Sequence, residues 1–179
     1  VFDSFTEYRV KGHSWLDESW ERTDRPYSAG KRTRSLYALG ERIEFTRNGK
    51  YRDFAPYGFS FSGKEFTWTD RKRAGITVEL PGVTEDLVCR AGLSRVFGPS
   101  QTIGIWIDGA SKLEEWKYER SSSSFEIREF IIPAEVINGN KFNLEFRLPR
   151  AIYSPKDLGI SDDGRRLGLG LAWLEFSDK

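Results

Sequence analysis

The chain has 179 residues, a length that suits one domain or one domain with an additional arm. Its 28 basic and 27 acidic side chains give a formal charge of +1, which argues against nucleic-acid binding because such proteins usually carry a strong basic excess. No stretch approaches the ~20 apolar residues of a membrane-spanning helix, and aromatic residues, at 15%, favour strands over helices.

The first forty residues form a predicted N-terminal arm. They show no regular alternation of polar and apolar residues, yet they carry too many aromatic side chains for a free disordered tail. These are Phe2, Phe5, Tyr8, Trp15, Trp20, Tyr27 and Tyr37. We predict that residues 1–40 pack as an arm on the β-sheet module that follows or form the end of a preceding domain. The boundary is placed near Gly40, with one module over residues 41–179.

From Glu41 onward, short alternating or apolar runs are separated by turn residues. Nine strands are predicted, with turn signals every roughly 8–15 residues, which is typical of a β-sandwich or β-barrel. No long stripe with a helical period occurs, and only one helical turn is expected, at 133–137. The predicted strands are 43–46, 66–69, 76–80, 87–97, 101–107, 113–118, 125–132, 142–148 and 167–176.

A family resemblance appears in the segment before the last predicted strand. Residues 154–168 resemble the motif S-P-x-x-L-G-x-S-x-D-x-R-x-L-G of bacterial jelly-roll modules of the galactose-binding type. Two weaker matches are Tyr57–Ser60 with Glu65–Asp70, where Phe59 replaces a tryptophan, and Ile132–Glu135. The resemblance covers Glu41 to Phe176 and implies an all-β, antiparallel jelly-roll β-sandwich without defined catalytic residues.

The resemblance also implies a context, because such modules accompany glycosyltransferases and phosphoglycerol transferases that build envelope polysaccharides. The predicted function is therefore a non-catalytic carbohydrate-binding accessory module in the bacterial cytoplasm or envelope. Its expected partners are a glycan or glycan headgroup and a catalytic domain of the same polypeptide. Two alternatives remain: a structural module that docks a catalytic domain or self-associates, and a β-sandwich hydrolase or lyase. The absence of methionine favours a fragment of a longer polypeptide.

Three aromatic residues are candidate ligand contacts, because an indole plane can cover the apolar face of a sugar ring. In the run 103–107 the isoleucines share one side, so Trp106 is expected on the other side beside Gly104. Trp116 and Tyr118 alternate together on the next strand. They either extend the Trp106 surface across a hairpin or belong to the core.

Asp163 and Arg165 are the polar candidates, two residues apart in a loop that enters a strand. Either they pair and fix the long 149–168 connection, or they bind sugar hydroxyls or a phosphate. Asp162 beside Asp163 suggests a structural Ca²⁺, but two adjacent carboxylates fall far short of the 6–8 oxygen ligands that calcium takes. No cofactor is therefore expected.

Catalytic patterns are weak. The single histidine, His13, lies in the irregular arm, and no G-x-S-x-G elbow accompanies it, which argues against a serine triad. The single cysteine, Cys89, cannot form an intrachain disulfide and is predicted to be a small buried hydrophobe. The acidic pairs at 114–115 and 162–163 would suit glycoside hydrolysis only at a defined separation.

Overall fold

The strands of the computed structural model lie close to the positions that the alternating runs predict. The structure describes residues 36–60, 62–137, 139–149 and 153–179. Two short 3-10 helices occur, at Lys50–Phe54 and Ala134–Val136, and only the second is predicted. The strands are β1 (Arg42–Glu44), β2 (Thr67–Trp68), β3 (Arg73–Glu79), β4 (Leu87–Val96), β5 (Gln101–Ile107), β6 (Ser111–Tyr118), β7 (Glu126–Ile132), β8 (Lys141–Arg147) and β9 (Leu169–Asp178).

Two antiparallel sheets form the sandwich. Sheet A has the strand order β3-β8-β5-β6, and sheet B has the order β1-β9-β4-β7, with β2 also paired to β9. The chain crosses from one sheet to the other at most of its connections, which is the arrangement of a jelly roll. The predicted fold class is confirmed. Within the described ranges, no helix is long and apolar enough to cross a bilayer.

The core lies between the sheets and follows from the two-residue period of each strand. On β5 the side chains of Ile103, Ile105 and Ile107 are buried, and on β8 those of Phe142, Leu144 and Phe146 are buried. Cys89 also lies in the core, and burial raises the pKa of its thiol. The residues between these apolar positions consequently point away from the core, on the outer faces of the sheets.

The end of the predicted arm lies against the sandwich. The Tyr37 amide donates to the Glu79 carbonyl at the end of β3, 2.8 Å away. The Tyr37 ring is buried against Phe54 and Phe176, and burial raises the pKa of its hydroxyl to about 12. Most of the arm lies outside the described residues, so the boundary near Gly40 stays a prediction.

Candidate functional site

The outer face of sheet A gathers polar side chains around one tryptophan. Strand register aligns Arg147 with Gly104, and Glu145 with Trp106, on neighbouring strands. β6 places Glu115 beside Gly104 and Lys112 beside Trp106. We call this surface the Trp106 face and define it by Arg73, Gly75, Thr102, Gly104, Trp106, Lys112, Glu115, Lys117, Asn143, Glu145 and Arg147, with Tyr57 lying over Gly75.

Trp106 faces outward from β5 and is half-buried. A Cβ atom at Gly104 would lie 2.8 Å from the indole Nε1, so the indole rests where only glycine leaves room. The Arg147 guanidinium lies over the ring, 4.0 Å from its centroid. Such a cation–π contact contributes about 0.5–1 kcal/mol at exposed sites. The indole is therefore held in place, with one ring face covered by Arg147.

A buried carboxylate organises the centre of this face. Glu145 is 3% exposed, and its carboxylate accepts four hydrogen bonds from three residues. Arg73 donates through Nε to Oε2 (3.0 Å) and through Nη2 to Oε1 (3.1 Å), and Arg147 donates through Nε to Oε1. The Tyr57 hydroxyl donates to Oε2 (2.8 Å) and lies 2.9 Å from Asn143 Oδ1. Both arginines are thus fixed by one acid.

The titration behaviour agrees with this geometry. Burial by itself raises the pKa of Glu145, but the hydrogen bonds from Arg73, Arg147 and Tyr57 outweigh it, so the pKa is lowered. Burial, followed by the hydrogen bond to Glu145, raises the pKa of Tyr57. Glu145 is ionised at neutral pH with its oxygens occupied, which suits a positioning role and not proton transfer.

We expect Glu145→Gln to lower the free energy of unfolding by about 2 kcal/mol at pH 7, because two partly exposed arginines lose their shared anion. Since folding lowers the pKa of Glu145, its contribution exists above the unfolded-state value of about 4.3 and disappears as the pH falls through the lower folded-state value. Urea unfolding at pH 7 and pH 3 measures this. The difference between wild type and variant should become smaller as the pH is lowered from 7 to 3.

The matched control is Glu129→Gln. Glu129 binds Arg90 through an exposed pair, with both side chains 53% exposed, on the outer face of sheet B. Exposed pairs contribute about 0–1 kcal/mol, so this variant should change stability little at either pH. An equal loss of stability for Glu145→Gln at both pH values would contradict the assigned role of its charge.

Trp116 lies in the core, which is one of the two placements that the sequence leaves open. It is 4% exposed and packs against Phe130 and Phe146, with ring centroids 6.0 and 6.3 Å away. Trp116 is aligned with Ile103, an inward-facing residue of the neighbouring strand β5. The pairing of β5 with β6 has a register shift between Ile105 and Trp106. Trp116 therefore does not extend the Trp106 face, and its expected role as a ligand contact is corrected to core packing.

Tyr118 also points to the inner side of sheet A. It is aligned with the buried Gln101, and its hydroxyl donates to Glu126 on β7. Burial and then this hydrogen bond raise the pKa of Tyr118. Tyr118 contributes to a separate polar groove with a volume of about 670 Å³, lined by residues 117–124 with Glu126 and Arg128. Tyr118 is therefore not part of the Trp106 face.

Asp163 and Arg165 bind each other within the loop before β9. Arg165 donates through Nε to Asp163 Oδ1 (3.0 Å) and through Nη2 to Oδ2 (2.6 Å), and its backbone amide also donates to Oδ1. The hydrogen bond from the Arg165 side chain lowers the pKa of Asp163. The sequence suggests that this pair either fixes the loop or binds a ligand. Its geometry is that of a pair that fixes the loop. Among the described residues, no three His, Cys, Asp or Glu side chains gather as a metal site.

The remaining acid of the Trp106 face is also paired. Glu115 binds Lys112 and, at 3.2 Å, Lys117. The hydrogen bonds from these two lysines lower the pKa of Glu115. Glycoside hydrolysis requires one acid whose pKa is raised and a second that stays ionised. Neither Glu115 nor Glu145 has a raised pKa, so these two acids do not show the pattern that glycoside hydrolysis requires. His13 lies outside the described residues.

Sequence reasoning missed the partners of Trp106. A usable signal exists on β8, where Asn143, Glu145 and Arg147 alternate with Phe142, Leu144 and Phe146. That pattern predicts a polar outer face, although it does not show which strand lies beside it. The hydrogen bond from Tyr57 to Glu145 also depends on the glycine at position 75. A Cβ atom at Gly75 would lie 2.7 Å from the Tyr57 hydroxyl and would displace it.

No protein-family model matches the sequence, and no curated protein matches it significantly. Among solved structures, the chain is similar to the C-terminal CBM6 of LamC, a marine laminarinase from Zobellia galactanivorans (8% identity, 76% of this chain and 98% of that chain, TM-score 0.45). It is also similar to a family 35 carbohydrate-binding module from Clostridium thermocellum (6% identity, 78% and 99% coverage, TM-score 0.48). An exo-β-1,3-galactanase from Phanerochaete chrysosporium matches at 10% identity over 78% of this chain and 29% of that chain, with a TM-score of 0.43. At these identities the similarity concerns the arrangement of strands and not the ligand.

Proposed function

We propose that this chain is a non-catalytic carbohydrate-binding module and that the Trp106 face is its binding surface. The observation that carries the proposal is the position of Trp106, an outward indole on a central strand held by Gly104 and Arg147. Sugar rings combine an apolar face with hydroxyl groups, and this surface supplies an indole beside a guanidinium donor. Sites on rigid strands hold such groups more precisely than loops do.

The more specific part of the proposal concerns the longer protein to which this module would belong. The motif at 154–168 supports an accessory module attached to an enzyme of bacterial envelope polysaccharide synthesis. Within this motif Ser154 and Asp157 bind each other's backbone amides, at 2.9 and 3.1 Å, and Asp163 binds Arg165. The motif residues therefore shape the loop, and the Trp106 face is the surface to which we assign the glycan.

The protein-docking alternative rests on a different surface. Phe125, Ile127 and Ile131, at and before the edge strand β7, are exposed. They are interrupted by Glu126, Arg128 and Glu129. Charged residues on an edge strand are a common protection against unwanted pairing, so these apolar residues do not require a partner. We therefore keep carbohydrate binding as the proposed function.

Calorimetric titration of the full chain with soluble polysaccharides tests the proposal. Affinity is expected to be weak, because sugar hydroxyls exchange hydrogen bonds with water for hydrogen bonds with protein at small net gain. Gly104→Ala should weaken binding at least several-fold, since the new Cβ atom displaces the indole, and should lower the melting temperature by only a few degrees, because the displaced cation–π contact contributes about 0.5–1 kcal/mol. The absence of binding heat with every glycan at millimolar concentration would overturn the proposal.

A further inference from the structure

A second group of aromatic side chains lies on the outer side of sheet B, on and beside β2. Burial alternates over residues 66–70, where the two threonines are buried and Phe66, Trp68 and Asp70 are half-buried. The half-buried side chains therefore point together to the outer side. We call Phe66, Trp68 and Phe97 the Trp68 cluster. None of these three belongs to the hydrophobic core between the sheets.

The rings of the Trp68 cluster meet edge to face. The Trp68 ring lies 5.2 Å from the Phe66 ring and 6.3 Å from the Phe97 ring, centroid to centroid, with interplanar angles of 84° and 78°. Phe66 rests on Gly170, where a Cβ atom would lie 2.9 Å from the ring. Among the described residues, the indole N–H of Trp68 donates to no protein acceptor, and it is open to solvent. The cluster thus combines ring surfaces held in place with an unused donor.

A carboxylate that accepts no hydrogen bond lies at the rim of the cluster. Asp70 Oδ1 is buried without a hydrogen-bond partner in the described part of the chain, and the Arg71 Nε atom, at 3.9 Å, is too far to donate. The side chain as a whole is 25% exposed, so a ligand can reach the carboxyl group through Oδ2. Burial raises the pKa of Asp70, and the charges of Arg71 and Arg165 offset this effect only in part. A desolvated acid without partners costs stability, which favours a functional role.

Arg165 provides the complementary group. It lies close enough to Asp70 for their charges to interact, and Asp163 holds it through Nε and Nη2. An acid beside a guanidinium matches two adjacent hydroxyl groups, because one hydroxyl donates to the acid while its neighbour accepts from the guanidinium. A cationic ligand would meet Arg71 and Arg165 at this place, and an anionic ligand would meet the two aspartates. Neither repulsion acts on a neutral ligand.

We infer that the Trp68 cluster, with Asp70 and Arg165, is a second carbohydrate site that takes a neutral sugar with two adjacent hydroxyl groups. The apolar face of the sugar ring packs on Trp68, one hydroxyl donates to Asp70, and the next accepts from Arg165. This site lies on sheet B, whereas the Trp106 face lies on sheet A, so the module holds two glycan segments on opposite sides. The inference does not depend on binding at the Trp106 face.

Nuclear magnetic resonance of the isotope-labelled full chain separates the two sites, because each tryptophan indole N–H gives its own signal. Trp68→Phe and Trp106→Phe identify the two signals. The probes are the methyl glycosides of galactose, glucose and mannose, and cyclohexanol is the control ligand with a ring but no pair of hydroxyl groups. At millimolar concentration at least one glycoside should shift the Trp68 signal, in the wild type and also in Trp106→Ala. An equal shift with cyclohexanol, or no shift with any glycoside, would overturn the inference.

Asp70→Asn removes the charge and keeps the shape of the side chain. It should weaken binding at the Trp68 cluster at least several-fold, because hydrogen bonds to charged groups are the stronger ones. The melting temperature should stay unchanged or rise, since a desolvated charge is lost. Glu129→Gln, on the outer face of the same sheet, is the matched control and should change neither quantity. A lower melting temperature with unchanged sugar affinity would make Asp70 structural and contradict its assignment.

The two indole signals also separate this inference from the proposed function. If the Trp106 signal responds to a glycan and the Trp68 signal responds to none, the second site is overturned and the proposed binding surface stands. If the Trp68 signal responds and the Trp106 signal does not, the second site is supported and the Trp106 face is overturned as a binding surface.

Discussion

Replacing Trp116 by alanine is expected to lower the free energy of unfolding by about 3–5 kcal/mol, the range for a large buried aromatic residue. Trp116 is 4% exposed and fills the space between Phe130 on sheet B and Phe146 on sheet A. Its removal leaves a cavity that two stiff sheets close only in part. Urea or guanidinium unfolding at 25 °C, followed by circular dichroism, measures the change.

If Trp116→Ala unfolds the chain altogether, Trp116→Phe keeps the test informative, because a smaller aromatic residue should cost about 1–2 kcal/mol and leave glycan affinity unchanged. The opposite pattern would contradict the placement of Trp116 in the core. That pattern is a loss of glycan binding with a change in unfolding free energy below about 0.5 kcal/mol.

Replacing Trp106 by alanine is expected to reduce glycan affinity by at least tenfold. The residues whose truncation costs about 2 kcal/mol or more are enriched in tryptophan and cluster near the centre of a binding surface, and about 1.4 kcal/mol corresponds to a factor of ten in affinity. Stability should fall by much less than for Trp116→Ala, because Trp106 packs on the outer side of the sheet and its removal leaves no enclosed cavity. Titration with the best-binding glycan and unfolding of the same preparation measure the two quantities.

The fold offers a matched control for this variant on its opposite side. Trp173, on the outer face of sheet B, lies over Gly92, and the Arg42 guanidinium lies 4.1 Å from its ring centroid. Both tryptophans thus rest over a glycine and under an arginine. Trp173→Ala should leave glycan affinity unchanged. Equal losses of affinity in the two variants would mean that the Trp106 face is not the binding surface.

The local pattern of residues was sufficient to predict the strands. Alternation of isoleucine with other residues over 101–107 marks β5, and its inward and outward sides are those observed. The turn after β5 is equally local, because Asp108 and Gly109 adopt φ values of 50° and 71°, which these residue types tolerate best. Such features depend on neighbours within a few residues, and they are therefore readable from the chain.

The partners of the candidate site were decided by tertiary structure. Arg73 and Glu145 lie 72 positions apart in sequence, and Arg147 reaches Trp106 only because β8 pairs with β5. The same holds for Trp116, whose alternation with Tyr118 is equally consistent with either side of the sheet. Its side was decided by its alignment with Ile103 on β5. Alternation specifies two faces for every strand, but only the packing of the two sheets decides which face becomes core and which side chains meet on the other.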